Sequence, residues 1–254
     1  MGVRMISILG FPLHLYSKEN IYSIIKKALS QKTKTAFLYT DFRLLNYNYR
    51  NRNPIDNRNI LFYPDSTGVW IILKLFFPNV SSGFKKLVST DIHSELLKIA
   101  NENHSSLFLM GSTNNILNSF IERASIEYPG IKIFGSINGY NELNEYTISK
   151  INTFRPDILL IGMGVPKQEL WIFKNLDNIN ANVILTVGAF FSFYSGHLKR
   201  APKIFRKLSL EWSYRLIQEP SRLWKRYFLE YPTFAIHVII EEIKKCELLL
   251  LHRI

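Results

Sequence analysis

Short apolar runs alternate with segments of helical periodicity over the first two hundred residues of the chain. The runs predict strands at 6–9, 36–39, 60–63, 107–110, 131–134, 158–161 and 183–187. Two intervening segments have apolar residues at helical spacing, the first with Ser17 as predicted N-cap. These residues are Ile21, Ile24, Ile25 and Ala28, then Leu117, Phe120, Ile121 and Ala124. The alternation predicts an α/β fold, a Rossmann-like and largely parallel sheet flanked by helices.

The pattern changes after Gly196. Residues 197–227 carry nine Lys or Arg and only two Glu, interleaved with aromatic residues such as Trp212 and Trp224. We therefore predict an α/β domain at 1–196 and a basic, aromatic, helical segment at 197–254, named the appendage below. This composition suits a surface where phosphate groups meet acyl chains, and it equally suits a helical hairpin that covers the core.

Composition narrows the classes of partner. The 254 residues are 47% apolar, as in a folded domain, and the net charge of +12 predicts a polyanionic partner: nucleic acid, an anionic membrane or a phosphate-rich substrate. The single cysteine, Cys246, excludes a disulfide within the chain and predicts a reducing, cytoplasmic compartment. No run of eighteen apolar residues occurs, so we predict that any membrane association is peripheral.

The last segment of the appendage has its own apolar stripe. Ile236, Ile239, Ile240 and Ile243 recur at helical spacing. Such a stripe packs on the core, on a second copy of the chain in a homo-oligomer, or on lipid, and the sequence leaves the three open.

Ligands of open α/β sheets bind beyond the carboxyl ends of the strands, so the residues after each predicted strand are the candidates for chemistry. Asp65 follows the strand at 60–63 and precedes a predicted helix near 69–76. It is either a general base that accepts a proton from an acceptor hydroxyl or the N-cap of that helix, and local pattern favours the cap.

Two glycine-containing loops follow other strands. Residues 157–171 run from a buried strand through Gly162 and Gly164 to Pro166 at a predicted first helical position, which suits phosphate binding or an ordinary turn. Gln168 in this loop is a candidate reader of a base or sugar edge. The loop at 111–115 has similar turn chemistry, and we interpret it as structural.

Neither a metal site nor a cofactor is predicted. The six aspartates include no Asp-x-Asp pair, and the six histidines lack metal-ligand spacing. A departing nucleoside diphosphate would then need arginines and helix N-termini to offset its charge, and the appendage is the predicted source of those cations.

Taken together, several segments resemble the WecG/TagA/CpsF glycosyltransferases (glycosyltransferase family 26). The resemblance runs from residue 6 to about residue 227 and is strongest in four ordered stretches. These are YPGIKIFG at 128–135 with Gly139-Tyr140, PDILLIGMGVPKQE at 156–169, GHLKRAP at 196–202 and EWSYRLIQEPSRLW at 211–224.

The resemblance implies a metal-independent, inverting transfer at the inner face of the plasma membrane. The donor would be a UDP-sugar, typically N-acetylmannosamine or its uronic acid, and the acceptor a polyprenyl-diphosphate-linked sugar on an anionic membrane surface, in the synthesis of a cell-surface polysaccharide. By the same resemblance Asp65 is the catalytic base, with Thr40 beside it. The implied substrate-binding residues are Gly164, Lys167, Gln168, Glu169, Ser192, Arg200, Arg215, Arg222 and Lys225.

The chain departs from the family pattern at several of these positions. The family's Asp-Gly reads Asp65-Ser66, and its Thr-x-Asn becomes Tyr39-Thr40-Asp41. Ser89 replaces the glycine of Gly-Thr-Asp. In addition, Lys86 and Lys225 replace arginines and Ser192 replaces an aspartate.

Two other classes of function remain alternatives. One is a basic nucleic-acid-binding protein on a Rossmann-like core; its cations lie among tryptophans, which speaks against it, and we predict no nucleic-acid partner. The other is a non-catalytic scaffold of a polysaccharide assembly complex, an alternative that the departures near Asp65 leave open.

Overall fold

The computed structural model describes residues 3–51, 59–140, 143–208 and 210–251. It confirms the α/β prediction: six parallel strands form one sheet in the order β4-β3-β8-β7-β5-β6, and β1 and β2 form a separate antiparallel hairpin. The strands are β1 Arg4–Ile8, β2 Phe11–Leu15, β3 Thr35–Thr40, β4 Ile60–Pro64, β5 Ser106–Gly111, β6 Lys132–Ile137, β7 Ile158–Gly162 and β8 Val183–Thr186.

Helices connect the strands and continue through the appendage. In the first 196 residues they are α1 Lys18–Gln31, α2 Phe42–Asn51, α3 Thr67–Phe76, α4 Pro78–Ser81, α5 Ser89–Glu102, α6 Asn114–Glu127, α7 Glu145–Phe154, α8 Lys167–Asn175 and α9 Phe190–Tyr194, with a 3-10 turn at Leu176–Asn178. In the appendage they are α10 Lys203–Lys207, α11 Glu211–Gln218, α12 Pro220–Lys225 and α13 Tyr231–Leu251, with a π-helical turn at Arg226–Glu230.

The hydrophobic core lies on both faces of the sheet because side chains alternate along each strand. On β3, Phe37 belongs to the cluster on one face and Leu38 to the cluster on the other, and both are fully buried. Helices α1, α5 and α6 cover the first face, whereas α2, α3 and part of α13 cover the second. Burial on both faces explains why the strands read as continuous apolar runs.

The predicted strand at 6–9 is observed as β1, but it does not join the parallel sheet. It pairs with β2, a strand that we did not predict because Pro12 and His14 interrupt its apolar run. Those two residues alternate with buried Phe11, Leu13 and Leu15. The His14 Nδ1 lies 3.2 Å from the Phe62 backbone N of the edge strand β4, so the hairpin covers that edge.

The two helices predicted from apolar spacing are confirmed as α1 and α6. Ser17 caps α1 in a reciprocal capping box with Asn20, and Ile21, Ile25 and Ala28 are buried beneath it. The predicted face of α6 is also buried at Leu117.

The appendage packs on the sheet domain through a few buried side chains. Phe234 and Val238 of α13 join the core beside α2, and the Asn46 amide donates to the Glu230 carbonyl at 3.1 Å. Gly68 of α3 lies against the Tyr231 ring, where a side chain would collide. The predicted isoleucine stripe lies on another side of α13 and is exposed, Ile236 by 55%, so it does not pack on the core.

Candidate active site

A large cavity of about 730 Å³ opens where the strands of the parallel sheet end. Residues at or just beyond the carboxyl ends of all six strands line it, which is where open α/β sheets bind ligands. The appendage forms the opposite wall with side chains from α11, α12 and the π-helical turn. Seven Lys or Arg side chains and four Asp or Glu side chains line the cavity, so it carries an excess of positive charge.

Asp65 lines this cavity, and it does not cap α3. Ser66 has the extended backbone of an N-cap, and its hydroxyl accepts from the Val69 N–H at 3.2 Å, so the interpretation of Asp65 as the cap of α3 is wrong. The Asp65 carboxylate instead accepts from the backbone N–H of Ser89 at 2.8 Å and from its hydroxyl at 2.9 Å. Ser89 begins α5, so Asp65 occupies the N-terminus of a helix that belongs to another part of the chain.

Burial is the main influence on Asp65, and it raises the pKa of the carboxyl above its ordinary value. The two Ser89 hydrogen bonds and the charge of Lys86 counteract this without cancelling it. The Lys86 ammonium donates to the Thr67 hydroxyl at 2.6 Å, and among the residues that the structure describes none forms an ion pair with Asp65. A raised pKa and a position in a cavity are properties of a general base.

Asp41, at the exit of the neighbouring strand β3, has a different environment. One carboxylate oxygen accepts from the backbone N–H of Arg43, in the first turn of α2, at 2.9 Å. The other accepts from the guanidinium groups of Arg43 at 2.7 Å and Arg226 at 3.2 Å. Burial alone would raise the pKa of Asp41, but the two arginines hold it below its ordinary value.

Sequence reasoning did not identify Asp41, Arg43 and Arg226 as site residues, although all three line the cavity. It selected Lys225 instead, which does not line the cavity and lies with its ammonium 5.7 Å from the centre of the Trp224 ring. Arg226 is the next residue along the helix and points to the other side. The position of Asp41 just after a predicted strand was the sequence feature that could have identified it as a site residue.

The appendage cations Arg215 and Arg222 line the cavity, as does Arg200. Glu219 lies between the first two: the Arg222 Nε donates to it at 2.8 Å, and the Arg215 Nη2 lies 4.0 Å from it. Arg200 donates to Asp91 of α5 at 2.7 Å, which links the loop before α10 to the sheet domain.

The loop after β7 brings Gly164 and Lys167 to the cavity. Gly164 has a φ of +81°, a conformation that favours glycine, and the space where a Cβ would lie is open. The Lys167 ammonium donates to the Gly139 carbonyl at 2.7 Å. Pro166 precedes the first residue of α8 rather than occupying it.

Gln168 does not face the cavity. It is fully buried, and its amide oxygen accepts from the backbone N–H groups of Met163 at 3.3 Å and Gly164 at 3.2 Å. The N–H groups of Met163 and Gly164 are thus occupied by this side chain rather than directed at the cavity. Its own amide group donates to Glu169 at 2.6 Å.

The remaining predicted residues divide in the same way. Ser192 lines the cavity, whereas Thr40 and Glu169 are fully buried behind its wall and do not line it. Burial raises the pKa of Glu169 to about 8. Ser112 of the loop that we interpreted as structural also reaches the cavity.

The lengths of the helices and the grouping of the polar side chains bear on membrane and metal binding. Within residues 3–51, 59–140, 143–208 and 210–251, no helix is both long and apolar enough to cross a bilayer. Across the same ranges, no three His, Cys, Asp or Glu side chains are grouped as metal ligands would be.

The sequence profile of the glycosyl transferase WecG/TagA/CpsF family matches residues 6–247. An N-acetylglucosaminyldiphosphoundecaprenol N-acetyl-beta-D-mannosaminyltransferase of Bacillus subtilis (strain 168) is 34% identical over 182 residues, 72% of this chain and 69% of the relative. A protein of Staphylococcus aureus (strain MW2) with the same name is 38% identical over 142 residues, 56% of this chain. That match spans about half of the S. aureus relative, 54% of its length.

Proposed function

Because the chain belongs to the WecG/TagA/CpsF glycosyltransferase family, we propose that it transfers an N-acetylhexosamine from a UDP-sugar to a polyprenyl-diphosphate-linked acceptor. The two relatives named above are N-acetylmannosaminyltransferases, so N-acetylmannosamine is the first sugar to test, with its uronic acid second. Synthesis of a cell-surface polysaccharide at the inner face of the plasma membrane is part of the same proposal.

The observation that carries the proposal is a carboxylate on the sheet side of the cavity, without an ion-pair partner among the described residues, opposite cations of the appendage. Asp65 lies at the sheet side, and Arg215, Arg222 and Arg226 lie on the appendage side. A sugar transfer with inversion needs one base behind the acceptor hydroxyl and positive charge around the departing diphosphate. The cavity offers both.

In the proposed step the acceptor oxygen attacks the anomeric carbon of the donor sugar. Its proton passes to the Asp65 carboxylate, the bond between the anomeric carbon and the diphosphate oxygen breaks, and UDP departs with the bonding electrons. The guanidinium groups of the appendage offset the charge that develops on the diphosphate, and the proposal requires no bound metal. Lys167 and the open space at Gly164 suit the phosphates of the donor.

The position of the cations also bears on the nucleic-acid alternative. Four of the nine Lys or Arg residues at 197–227 line a concave cavity that they share with Trp212 and Tyr227. Nucleic-acid binders use an exposed basic surface that follows the phosphate backbone. The cavity therefore favours a small diphosphate ligand.

A panel of UDP-sugars tests the proposal. The purified chain is incubated with each sugar and a short-chain polyprenyl-diphosphate N-acetylglucosamine acceptor, and UDP release is measured. We expect release with N-acetylmannosamine or its uronic acid that depends on the acceptor. Binding of the acceptor with no UDP release from any donor would instead support the scaffold alternative.

A further inference from the structure

Asp65 is held by a single residue of another element, Ser89 at the start of α5. Both oxygens of its carboxylate accept hydrogen bonds from Ser89, one from the backbone N–H at 2.8 Å and one from the hydroxyl at 2.9 Å. A residue without a hydroxyl at position 89 would supply the N–H alone.

The two donors fix the orientation of the carboxylate. A carboxylate that accepts at both oxygens from one residue has little freedom to rotate about its Cβ–Cγ bond, and it retains further lone pairs toward the cavity. Ser89 is itself held at the first turn of α5, and its exposed fraction is only 9%. Val88, the residue before α5, provides no side-chain cap, so Asp65 performs that function across the fold.

The electrostatic environment of Asp65 contains few compensating groups. The charged or titratable groups that face it from neighbouring elements are Lys86 before α5, Asp41 after β3 and Tyr63 on β4. Lys86 donates to Thr67, and Asp41 disfavours the charged form of Asp65. The Ser89 bonds are thus the direct contacts that favour the carboxylate over the carboxylic acid.

We propose that Ser89 is a positioning residue of the sugar transfer, whose hydroxyl orients Asp65 and keeps it ionised for proton transfer. The inference rests on the proposed function for its catalytic meaning, but the contact itself can be tested without turnover. Ser89 does not touch the reacting atoms in this scheme; it acts through Asp65.

The test is a carboxyl ¹³C NMR titration of the full chain with labelled aspartate. The chain has only six aspartates, and the Asp65 signal is assigned by its loss in Asp65→Asn. Ser89→Ala keeps the backbone N–H and removes the hydroxyl. We expect the midpoint of Asp65 protonation to rise by about one pH unit, a tenfold change in proton affinity, because hydrogen bonds to charged groups are among the stronger ones.

Matched variants decide what the shift means. Ser89→Thr restores a hydroxyl and is expected to return the midpoint to the wild-type value, whereas Ser89→Gly is expected to behave like Ser89→Ala and replaces it if the alanine variant is poorly folded. If the preparation transfers sugar, the pH at which kcat/KM falls on the acid side is expected to shift in each variant by the same amount as the NMR midpoint. Equal Asp65 midpoints in wild type, Ser89→Ala and Ser89→Gly would overturn the inference.

The two failures are distinguishable. A wild-type chain that releases no UDP from any donor contradicts the proposed function, yet the NMR comparison still reports whether the Ser89 hydroxyl acts on Asp65. A chain that transfers sugar while its Ser89 variants titrate unchanged contradicts only the role of Ser89.

Discussion

Two carboxylates at the ends of neighbouring strands, Asp65 after β4 and Asp41 after β3, line the same cavity and have opposite properties. Asp65 accepts only neutral hydrogen bonds, from Ser89, and burial raises the pKa of its carboxyl. Asp41 accepts from the guanidinium groups of Arg43 and Arg226, which hold the pKa of its carboxyl low. Position at a strand exit therefore does not decide whether a carboxylate is suited to act as a base. Its hydrogen-bond and ion-pair partners decide this, because they set its pKa.

The comparison also separates two roles of the cavity wall. The bonds of Asp41 join an arginine of the sheet domain to an arginine of the appendage, so this carboxylate stabilises the assembly of the cavity. Asp65 has no arginine partner among the described residues, so its carboxylate is available to accept a proton. We expect substitutions at the two positions to affect different measurements.

The largest expected effect is on turnover at Asp65. Asp65→Asn preserves the shape and one oxygen that can accept from Ser89, but its amide cannot take up a proton, so we expect the rate of UDP release to fall about 10²–10⁴-fold, the usual contribution of a general base. UDP-sugar affinity, measured by calorimetry, is expected to stay within a few-fold of wild type. The rate of UDP release is measured at saturating concentrations of donor and acceptor.

Stability provides the control for this variant. Because burial disfavours the charged form of Asp65, a neutral amide at the same place is expected to leave the thermal midpoint at pH 7 unchanged or higher. Activity of the wild type should decline as pH falls through the raised pKa, since only the carboxylate accepts a proton. Full turnover by Asp65→Asn would remove this residue from the mechanism and end the contrast with Asp41.

The second largest effect is expected on the free energy of unfolding of the protein when Asp41 is replaced. Asp41→Ala leaves Arg43 and Arg226 without their shared anion, and breaking a buried ion pair costs about 3–5 kcal/mol. Chemical denaturation at pH 7 measures the loss. Asp41→Asn keeps one oxygen, which can still accept at the start of α2, so its loss should be smaller.

The pH dependence gives a second check on Asp41. Its pKa is lower in the folded protein than in the unfolded chain, so its stabilising contribution is present above the unfolded pKa and is lost as pH falls through the folded pKa. The stability gap between wild type and Asp41→Ala should therefore narrow in strong acid. A gap that is absent at pH 7 would show that the arginines are held by other contacts.

The third effect concerns two adjacent cations of the appendage. Arg226 lines the cavity and Lys225 does not, so Arg226→Met is expected to raise the barrier to transfer by about 2–4 kcal/mol, as removal of one preorganised stabilising group does in other enzymes. Lys225→Met removes the same charge one residue earlier and is expected to change turnover less than about threefold, the scale of a screened surface charge. Steady-state kinetics on both variants compare the positions directly, and the reverse order would favour the assignment made from sequence resemblance.

Several features of this protein follow from its sequence alone. Continuous apolar runs such as 158–161 and 183–187 predict buried parallel strands because both of their faces are covered by helices. The basic excess after Gly196 predicts cations near a phosphate-bearing ligand, and Arg215 and Arg222 do line the cavity. The position of Asp65 after a strand made it a candidate, although the local pattern favoured a helix cap.

Other features depend on contacts between distant parts of the chain. Ser89 is 24 residues from Asp65 and Arg226 is 185 residues from Asp41, so no local pattern reveals either contact. Which of Lys225 and Arg226 faces the cavity depends on the rotation of the helical segment around its axis, which packing of Leu223 and Phe234 sets. Sequence determines which residues can form strands, helices and charged surfaces, whereas only the tertiary structure decides which donors meet each carboxylate and so which one is suited to accept a proton.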